Sequence, residues 1–115
     1  MNRVSARVFK ALSDPNRIRI IKMLEVKELC VCEVREILAL STSTVSQHLS
    51  LLRDADLILD AKEGKWVNYR LNDKPEGQLV EAQLALLRNS FNDDDQVCSD
   101  RKKLLTVDRE SICGM

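Results

Sequence analysis

The segment from residue 41 to residue 71 constrains the fold of this chain more than any other part of its sequence. Ser41-Thr42-Ser43-Thr44 can cap a helix, and apolar residues at helical spacing follow it. Two segments that alternate apolar and polar residues come next, at 57–62 and 65–71, and Glu63-Gly64 joins them. Alternation on both sides of a short glycine-containing loop predicts a β-hairpin. The sequence therefore predicts a helix that leads directly into a β-hairpin.

Three further helices are predicted before this segment. Apolar residues recur at helical spacing in residues 3–12 and again from Ile18 to Val26, and Ser13-Asp14-Pro15 supplies the stop, the N-cap and the first turn between them. A short helix covers about residues 32–40. Helix, turn, helix and hairpin in this order describe a mainly α fold with a small β-hairpin, the winged helix-turn-helix.

Composition limits the kind of core and the location of the chain. The 115 residues fit one compact domain, and 44% of them are apolar but only 3% are aromatic, so the core must be aliphatic. We find neither an apolar run of about 18 residues nor the long apolar stretch of a signal peptide near the N-terminus. The sequence thus predicts a cytoplasmic protein without a membrane span.

The region after the hairpin predicts a dimer and a tail. Pro75 opens a helix whose apolar residues lie on more than one side between Leu79 and Leu87. Such a helix is either fully buried or pairs with a second copy, with the first helix as partner, and we predict the homodimer. We assign residues 1–91 to the DNA-binding and dimerisation domain, and residues 92–115 to a C-terminal tail that is mobile or partly helical.

Charge is distributed unevenly, although the net charge is zero. Residues 1–71 carry 12 Lys+Arg against 9 Asp+Glu, whereas residues 72–115 carry 6 against 9. No acidic residue occurs from Ala39 to Leu52, which covers most of the helix before the hairpin. Because local charge on one face matters more than the total, double-stranded DNA stays a candidate partner.

The helix before the hairpin presents short polar side chains near its N-terminal end, where they suit base edges and phosphates. Two lysines flank the hairpin tip, where a wing would lie along the DNA backbone. The predicted DNA-binding residues are Thr42, Ser43, Thr44, Ser46, Gln47, His48, Lys62 and Lys65. The alternative is an ordinary polar cap with a solvated hairpin and, for His48, the only histidine, a packing role.

Cys30 and Cys32 stand at the start of the short third helix. They are too close for an easy mutual disulfide, and cysteines of a cytosolic protein are expected to be reduced. Two cysteines do not complete a four-ligand zinc site, whereas three-coordinate As(III) or Sb(III) needs fewer thiolates. We expect the helix N-terminus to lower both thiol pKa values. The alternative is a pair of small buried thiols.

The spacing of the two thiols suggests a switch. Residues i and i+2 lie about 200° apart around a helix but on one side of an extended segment. An ion held by both sulfurs would therefore favour a distorted start of the third helix, which should pack on the DNA-reading helix. Cys98 and Cys113 of the tail are candidates for a third ligand.

These segments together resemble the ArsR/SmtB family of bacterial metalloregulatory repressors, and its arsenic-responsive branch above all. The matching runs are Leu29-Cys30-Val31-Cys32, Ser46-Gln47-His48-Leu49-Ser50-Leu51-Leu52-Arg53 and Gly64-Lys65-Trp66-Val67-Asn68-Tyr69-Arg70-Leu71. The resemblance covers residues 5 to about 90. It implies a homodimeric repressor that leaves its operator when thiolates bind As(III) or Sb(III).

The chain departs from the family pattern at two positions. Arg35 stands where the family's Cys-Val-Cys-x-x-Cys site has its third cysteine, so the third ligand is a tail cysteine, solvent or a small thiol, or two thiolates suffice. The turn before the wing usually holds Gly, and here Asp56 is expected to adopt the left-handed conformation.

Two alternatives stand beside this reading. One is a Cd(II)/Pb(II)- or redox-responsive repressor that uses the tail thiols; the family's cadmium and lead sensors add N-terminal cysteines that this chain lacks, and its zinc sensors use histidines that residues 75–91 lack. The other is a cysteine enzyme such as an arsenate reductase. With three glycines in all, the chain has no glycine-rich anion loop, and no base is oriented at Cys30, so we expect no enzymatic activity.

Overall fold

The computed structural model describes residues 2–113, except the side chain of Cys113. These residues form seven helices and a three-stranded antiparallel sheet. In chain order the elements are α1 (Arg3–Ala11), α2 (Pro15–Leu24), β1 (Leu29–Cys30), α3 (Val31–Leu38), α4 (Thr42–Asp54), β2 (Ile58–Glu63), β3 (Trp66–Leu71), α5 (Gln78–Arg88), α6 (Asp95–Leu104) and α7 (Arg109–Cys113). The predicted winged helix-turn-helix is confirmed.

Side-chain caps begin the helices where the sequence predicts them. The Asp14 carboxylate accepts a hydrogen bond from the N–H of Asn16 at 2.7 Å, and Pro15 follows as the first residue of α2. At the start of α4, the Ser41 hydroxyl oxygen accepts from the N–H of Thr44 at 3.2 Å. Each cap satisfies a backbone donor that has no partner within the helix.

The sheet contains one strand that the sequence did not predict. Its order is β1-β3-β2, and the two-residue β1 pairs Leu29 with Tyr69 and Cys30 with Asn68. A strand of two residues is too short to show an alternating pattern, so only its pairing with β3 defines it. This pairing places Cys30 beside the middle of the wing, which is the hairpin of β2 and β3.

The turn of the hairpin lies one residue later than the predicted Glu63-Gly64. Glu63 pairs with Trp66, which leaves Gly64 and Lys65 as a two-residue loop. Gly64 has a φ of 60°, and a glycine at the first loop position with positive φ suits the twist of the two strands. Lys65 is therefore at the tip of the wing.

The core is aliphatic, as the composition required. Each fully buried Leu, Ile or Val contributes roughly 1.5–3 kcal/mol of hydrophobic stabilisation. Core residues with no exposed surface are Ile20, Ile21, Leu29, Val34, Val45, Leu49, Leu52, Leu57 and Ile58. They come from α2, β1, α3, α4 and the start of the wing, so the DNA-reading helix is fixed to the thiol segment by one continuous core.

The residues after 91 form α6 and α7. α6 packs against α2, and Leu104 joins the main core. The guanidinium of Arg19 donates two hydrogen bonds of 2.9 Å to the two carboxylate oxygens of Asp100, which is buried. The boundary at residue 91 stays a prediction. Among the described residues, no helix has the length and apolarity needed to cross a bilayer.

Candidate nucleic-acid interface and thiol site

One face of α4 is available to a ligand because the other face is buried. Val45, Leu49 and Leu52 have no exposed surface and fix the rotation of the helix. Consequently, an open groove on the outer face is lined by Ser43, Ser46, Gln47, Ser50 and Leu51. Hydroxyl and amide groups in such a row can pair with base edges and phosphates.

The structure separates the predicted residues of α4 into two groups. Thr42, Ser43 and Gln47 are exposed and Ser46 is half-buried on the outer face. Thr44 instead takes part in the helix cap, since its Oγ1 accepts a hydrogen bond from the Ser41 hydroxyl at 2.9 Å.

The half-buried side chain of His48 contacts a residue of another helix, α2. Its Nδ1 lies 3.1 Å from Nη1 of Arg17, and a guanidinium donates only, so Nδ1 must be the acceptor. Arg17 also donates to the carbonyls of Ala11 at 2.7 Å and Lys10 at 3.1 Å. Arg17 thus ties α4 to the end of α1. Sequence reasoning missed it, because its hydrogen bonds to Lys10, Ala11 and His48 span six or more residues and follow no local pattern.

The two lysines of the wing are exposed and lie near its tip. Lys62 is in β2, and Lys65 is in the loop with its Nζ 4.8 Å from the ring centroid of Trp66. Arg53, at the end of α4, donates to Asp60 of β2 at 3.0 Å. The wing and the outer face of α4 therefore belong to one connected surface.

Cys30 occupies the junction between the sheet and α3. It is the last residue of β1 and the N-cap of α3, with an extended backbone, and it is 2% exposed. Its N–H donates to the Glu33 carboxylate at 2.9 Å, and its sulfur faces the N–H of Glu33 in a capping box. The spacing of three residues between Cys30 and Glu33 was a sequence signal for this arrangement.

The expectation of a lowered thiol pKa is wrong for Cys30. Burial raises the pKa of the Cys30 thiol, and the nearby Glu33 carboxylate raises it further, whereas the backbone N–H of Glu33 only partly opposes them. The helix N-terminus is therefore outweighed by desolvation. At neutral pH Cys30 is a thiol rather than a thiolate.

The other cysteines differ from one another. Cys32 is half-buried in the first turn of α3 and is disulfide-bonded, so the expectation that it is reduced is wrong. Cys98 is free, and its sulfur donates to the carbonyl of Asn92 at 3.4 Å. The side chain of Cys113 lies outside the described residues, although its helix α7 packs against α3.

Within residues 2–113, no group of three or more His, Cys, Asp or Glu residues is placed to hold a metal ion. Cys98 therefore does not join Cys30 and Cys32 in a ready three-ligand site. A soft ion would need either a two-sulfur site completed from outside this group or a rearrangement of the start of α3.

The thiol segment is in direct contact with the DNA-reading helix. α3 packs against α4, and the turn between them contains Ala39 in the left-handed conformation, with φ of 57°. Arg35 of α3 donates to Thr42 Oγ1 at 3.4 Å. A displacement of α3 would consequently move the first residue of α4.

Comparisons with known proteins agree on one family. The family described as "Bacterial regulatory protein, arsR family" matches residues 14–59. A cadmium resistance transcriptional regulatory protein CadC homolog of Staphylococcus aureus is 49% identical over 66% of this chain and 64% of its own length. The arsenical resistance operon repressor of Escherichia coli K12 is 48% identical over 56% of each chain. The chain thus spans less than two thirds of these two relatives.

A third relative matches over nearly its whole length, and solved structures share the fold. The arsenic resistance transcriptional regulator ArsR2 of Pseudomonas putida KT2440 is 36% identical over 92% of this chain and 94% of its own. HlyU from Vibrio cholerae N16961 is 36% identical with a TM-score of 0.61, covering 76% of this chain and 95% of its own. The homodimeric winged helix-turn-helix domain of Mb0332 from Mycobacterium bovis is 28% identical with a TM-score of 0.62, covering 74% and 75%.

Proposed function

We propose that this chain, which belongs to the ArsR family of bacterial regulatory proteins, is a cytoplasmic repressor that leaves its operator DNA when As(III) or Sb(III) binds its thiols. The observation that carries the proposal is the position of Cys30. It caps α3, pairs with the middle of the wing through Asn68, and stands at the start of the helix that packs on α4. A ligand bound there has a short path to both DNA-contacting elements.

The DNA-binding half of the proposal rests on the outer face of α4 and on the wing. Thr42, Ser43, Ser46 and Gln47 would contact base edges and phosphates in the major groove, with Lys62 and Lys65 on the backbone. We assign Thr44 and His48 to holding α4 in place, through Ser41 and Arg17.

The thiol chemistry favours As(III) over a divalent cation. Arsenous acid, As(OH)₃, is neutral, and each As–S bond forms as a thiol proton leaves with a hydroxyl group as water. A divalent cation must instead displace the proton from each thiol. Because the pKa of Cys30 is raised, this displacement is costly, whereas condensation with As(OH)₃ proceeds from the protonated thiol.

Binding must also change the local structure. Cys32 has to be reduced first by a dithiol, which gives up two electrons and two protons and becomes a disulfide itself, and the buried Cys30 has to be exposed. The first turn of α3 would open so that Cys30 and Cys32 reach one arsenic atom. Arg35 would carry this movement to Thr42. The third ligand is a tail cysteine or a small thiol from solution.

The dimer in this proposal uses α1 and α5. These helices pack together and leave Val4, Phe9 and Leu86 between 48% and 64% exposed. Apolar residues concentrated on two adjoining helices are typical of an interface, and the Mb0332 domain is homodimeric. Two copies would present two α4 helices to two half-sites.

A second candidate function has specific observations in its favour. The disulfide at Cys32 favours a redox-responsive repressor, and the similarity to a CadC homolog favours Cd(II) as the ligand. In either case DNA release would follow from the same distortion of α3.

The test is operator binding measured by fluorescence anisotropy. The reduced protein is bound to a labelled duplex from the promoter of its own gene at fixed salt, and is then titrated with As(III) or Cd(II). We expect release at near-stoichiometric As(III) and only at higher Cd(II). Cys30→Ser should bind the duplex like the wild type but resist release.

Cys98→Ser tests the free cysteine of α6 as the third ligand. A response like the wild type would assign Cys98 no sensing role, whereas resistance to As(III) would make it the third ligand. Tight DNA binding that ignores As(III), or loss of DNA binding in ligand-free Cys30→Ser, would contradict the proposal. Release by oxidant alone would favour the redox alternative.

A further inference from the structure

Arg109, the first residue of the C-terminal helix α7, reaches the wing. Its Nη1 donates to Oδ1 of Asn68 at 2.8 Å, and its Nη2 lies 3.4 Å from Oε1 of Glu63. Its guanidinium carbon lies 4.2 Å from the ring centroid of Trp66. Arg109, which lies outside the hairpin, therefore contacts both of its strands, including the two residues that flank the loop.

The three partners of Arg109 are themselves joined. The Asn68 side chain donates to Oε2 of Glu63 at 2.6 Å while its oxygen accepts from Arg109. Glu63 and Trp66 are the last pair of the hairpin before the loop. A planar guanidinium that donates from two nitrogens and stacks on an aromatic ring holds its partners in a defined orientation.

This contact acts at the part of the wing that the proposed function places on DNA. Lys65 follows Gly64 in the loop and also lies over Trp66, so the ring that Arg109 covers also contacts a proposed phosphate ligand. β1 pairs with Tyr69 and Asn68 of β3, so the two residue pairs next to the loop, Lys62–Val67 and Glu63–Trp66, belong to a two-stranded segment. Such a segment has little stability of its own, so an external contact has a large effect on its orientation.

We propose that Arg109 is a positioning residue for DNA binding, which holds the wing in the orientation that reaches the operator. The inference rests on the proposed DNA-binding function but not on the identity of the inducer. It also gives α7 a role apart from its cysteine. Because α7 packs against α3 and contacts the wing, α3 and the wing share α7 as a neighbour.

The contact can be followed directly because Trp66 is the only tryptophan in the chain. The variants are Arg109→Gln, which removes the charge and the fork, and Arg109→Lys, which keeps the charge alone. Lys102→Gln is the matched control, since it removes one positive charge from the exposed surface of the tail without a wing contact. Far-UV circular dichroism and the thermal midpoint confirm that each variant folds.

Acrylamide quenching of Trp66 is measured without DNA, and operator binding by anisotropy at fixed salt. In Arg109→Gln we expect stronger quenching and roughly tenfold weaker binding, equivalent to about 1.4 kcal/mol. Lys102→Gln should match the wild type in both, and Arg109→Lys should bind with intermediate affinity.

Three results would overturn the proposal. The first is unchanged quenching in Arg109→Gln, which would mean that the contact does not hold the wing. The second is changed quenching with unchanged operator affinity in Arg109→Gln. The third is wild-type operator affinity in Arg109→Lys, since the positive charge alone would then suffice. Failure of the wild type to bind the duplex would instead contradict the proposed function, and quenching would still report on the contact.

Discussion

Cys30 has three roles that make opposite demands on one side chain. As an N-cap its sulfur faces the N–H of Glu33, as a core residue it is 2% exposed, and as a proposed ligand it must meet arsenic. Burial raises the pKa of its thiol, which selects against ligands that require a thiolate. Because Cys30 is buried, the proposed ligand could bind it only if α3 were distorted at the same time.

The raised pKa of Cys30 predicts a difference in pH dependence between inducers. From pH 6 to pH 8, the Cd(II) concentration for half-release should fall roughly tenfold per pH unit for each proton that Cd(II) displaces. The As(III) concentration should change little, because condensation of As(OH)₃ with thiols releases water and no net proton. Anisotropy titrations at several pH values measure both, and parallel curves for the two inducers would refute the argument.

The raised pKa also affects stability, with a defined sign. A thiol whose pKa is higher in the folded than in the unfolded state contributes stability below its unfolded pKa, and that contribution is lost as pH rises through the folded pKa. Cys30 should therefore lower the stability of the fold in alkaline solution.

At the scale of an element, the turn between α4 and β2 shows how one residue directs the wing. Asp56 has a φ of 66°, so the expected left-handed conformation at this residue is confirmed. Its carbonyl accepts a hydrogen bond from Nδ2 of the buried Asn72 at 3.0 Å, which closes the base of the hairpin. The conformation is strained for most side chains, and Asp tolerates it better than most.

Substitutions at Asp56 should separate backbone strain from side-chain contacts. Asp56→Ala should lower the free energy of unfolding by about 1 kcal/mol, because Ala lacks the local hydrogen bonding that eases the left-handed conformation. Asp56→Gly should be neutral or stabilising. Urea denaturation at one protein concentration measures both. Asp54→Ala, in the last turn of α4, is the control with little expected change, and equal losses in the Gly and Ala variants would count against strain.

At the scale of the whole molecule, charged contacts fix the tail to α2, and the apolar surface of α1 and α5 stays exposed. Arg19 pairs with Asp100, while Lys22 and Arg101 both pair with Glu25 at 2.7 and 3.1 Å. The Arg19–Asp100 and Arg101–Glu25 pairs join α2 to α6, whereas Lys22 and Glu25 both belong to the C-terminal end of α2. The surface formed by α1 and α5 keeps Val4, Phe9 and Leu86 exposed, and a second copy would cover them.

A charge placed on this apolar surface should prevent pairing of two copies. Leu86 is 60% exposed on α5, so Leu86→Lys should leave the monomer fold intact, shift the molar mass in solution towards the monomer and weaken operator binding at least tenfold. Leu105→Lys is the matched control, because Leu105 is 84% exposed but lies beyond α6. Sedimentation equilibrium gives the molar mass, and a dimer in the Leu86 variant would show that another surface pairs.

The sequence by itself determined the features that depend on neighbours a few residues apart. The caps at Asp14 and Ser41, the hairpin around Gly64 and the left-handed Asp56 all follow from local chemistry, and the aliphatic core follows from composition. Signals of this range act within one turn of helix or one hairpin, so a single sequence contains them.

Tertiary structure alone decided the contacts that join distant segments. The pairing of Cys30 with Asn68, the bond between Arg17 and His48, and the contact of Arg109 with the wing span 31 or more residues each. No local pattern encodes them, because they depend on where the folded chain returns. The raised pKa of Cys30 has the same origin. The sequence showed a thiol at a helix start, where thiol pKa values fall. Only the packing of the sheet and α3 removed water from this thiol and thereby reversed the direction of its pKa shift.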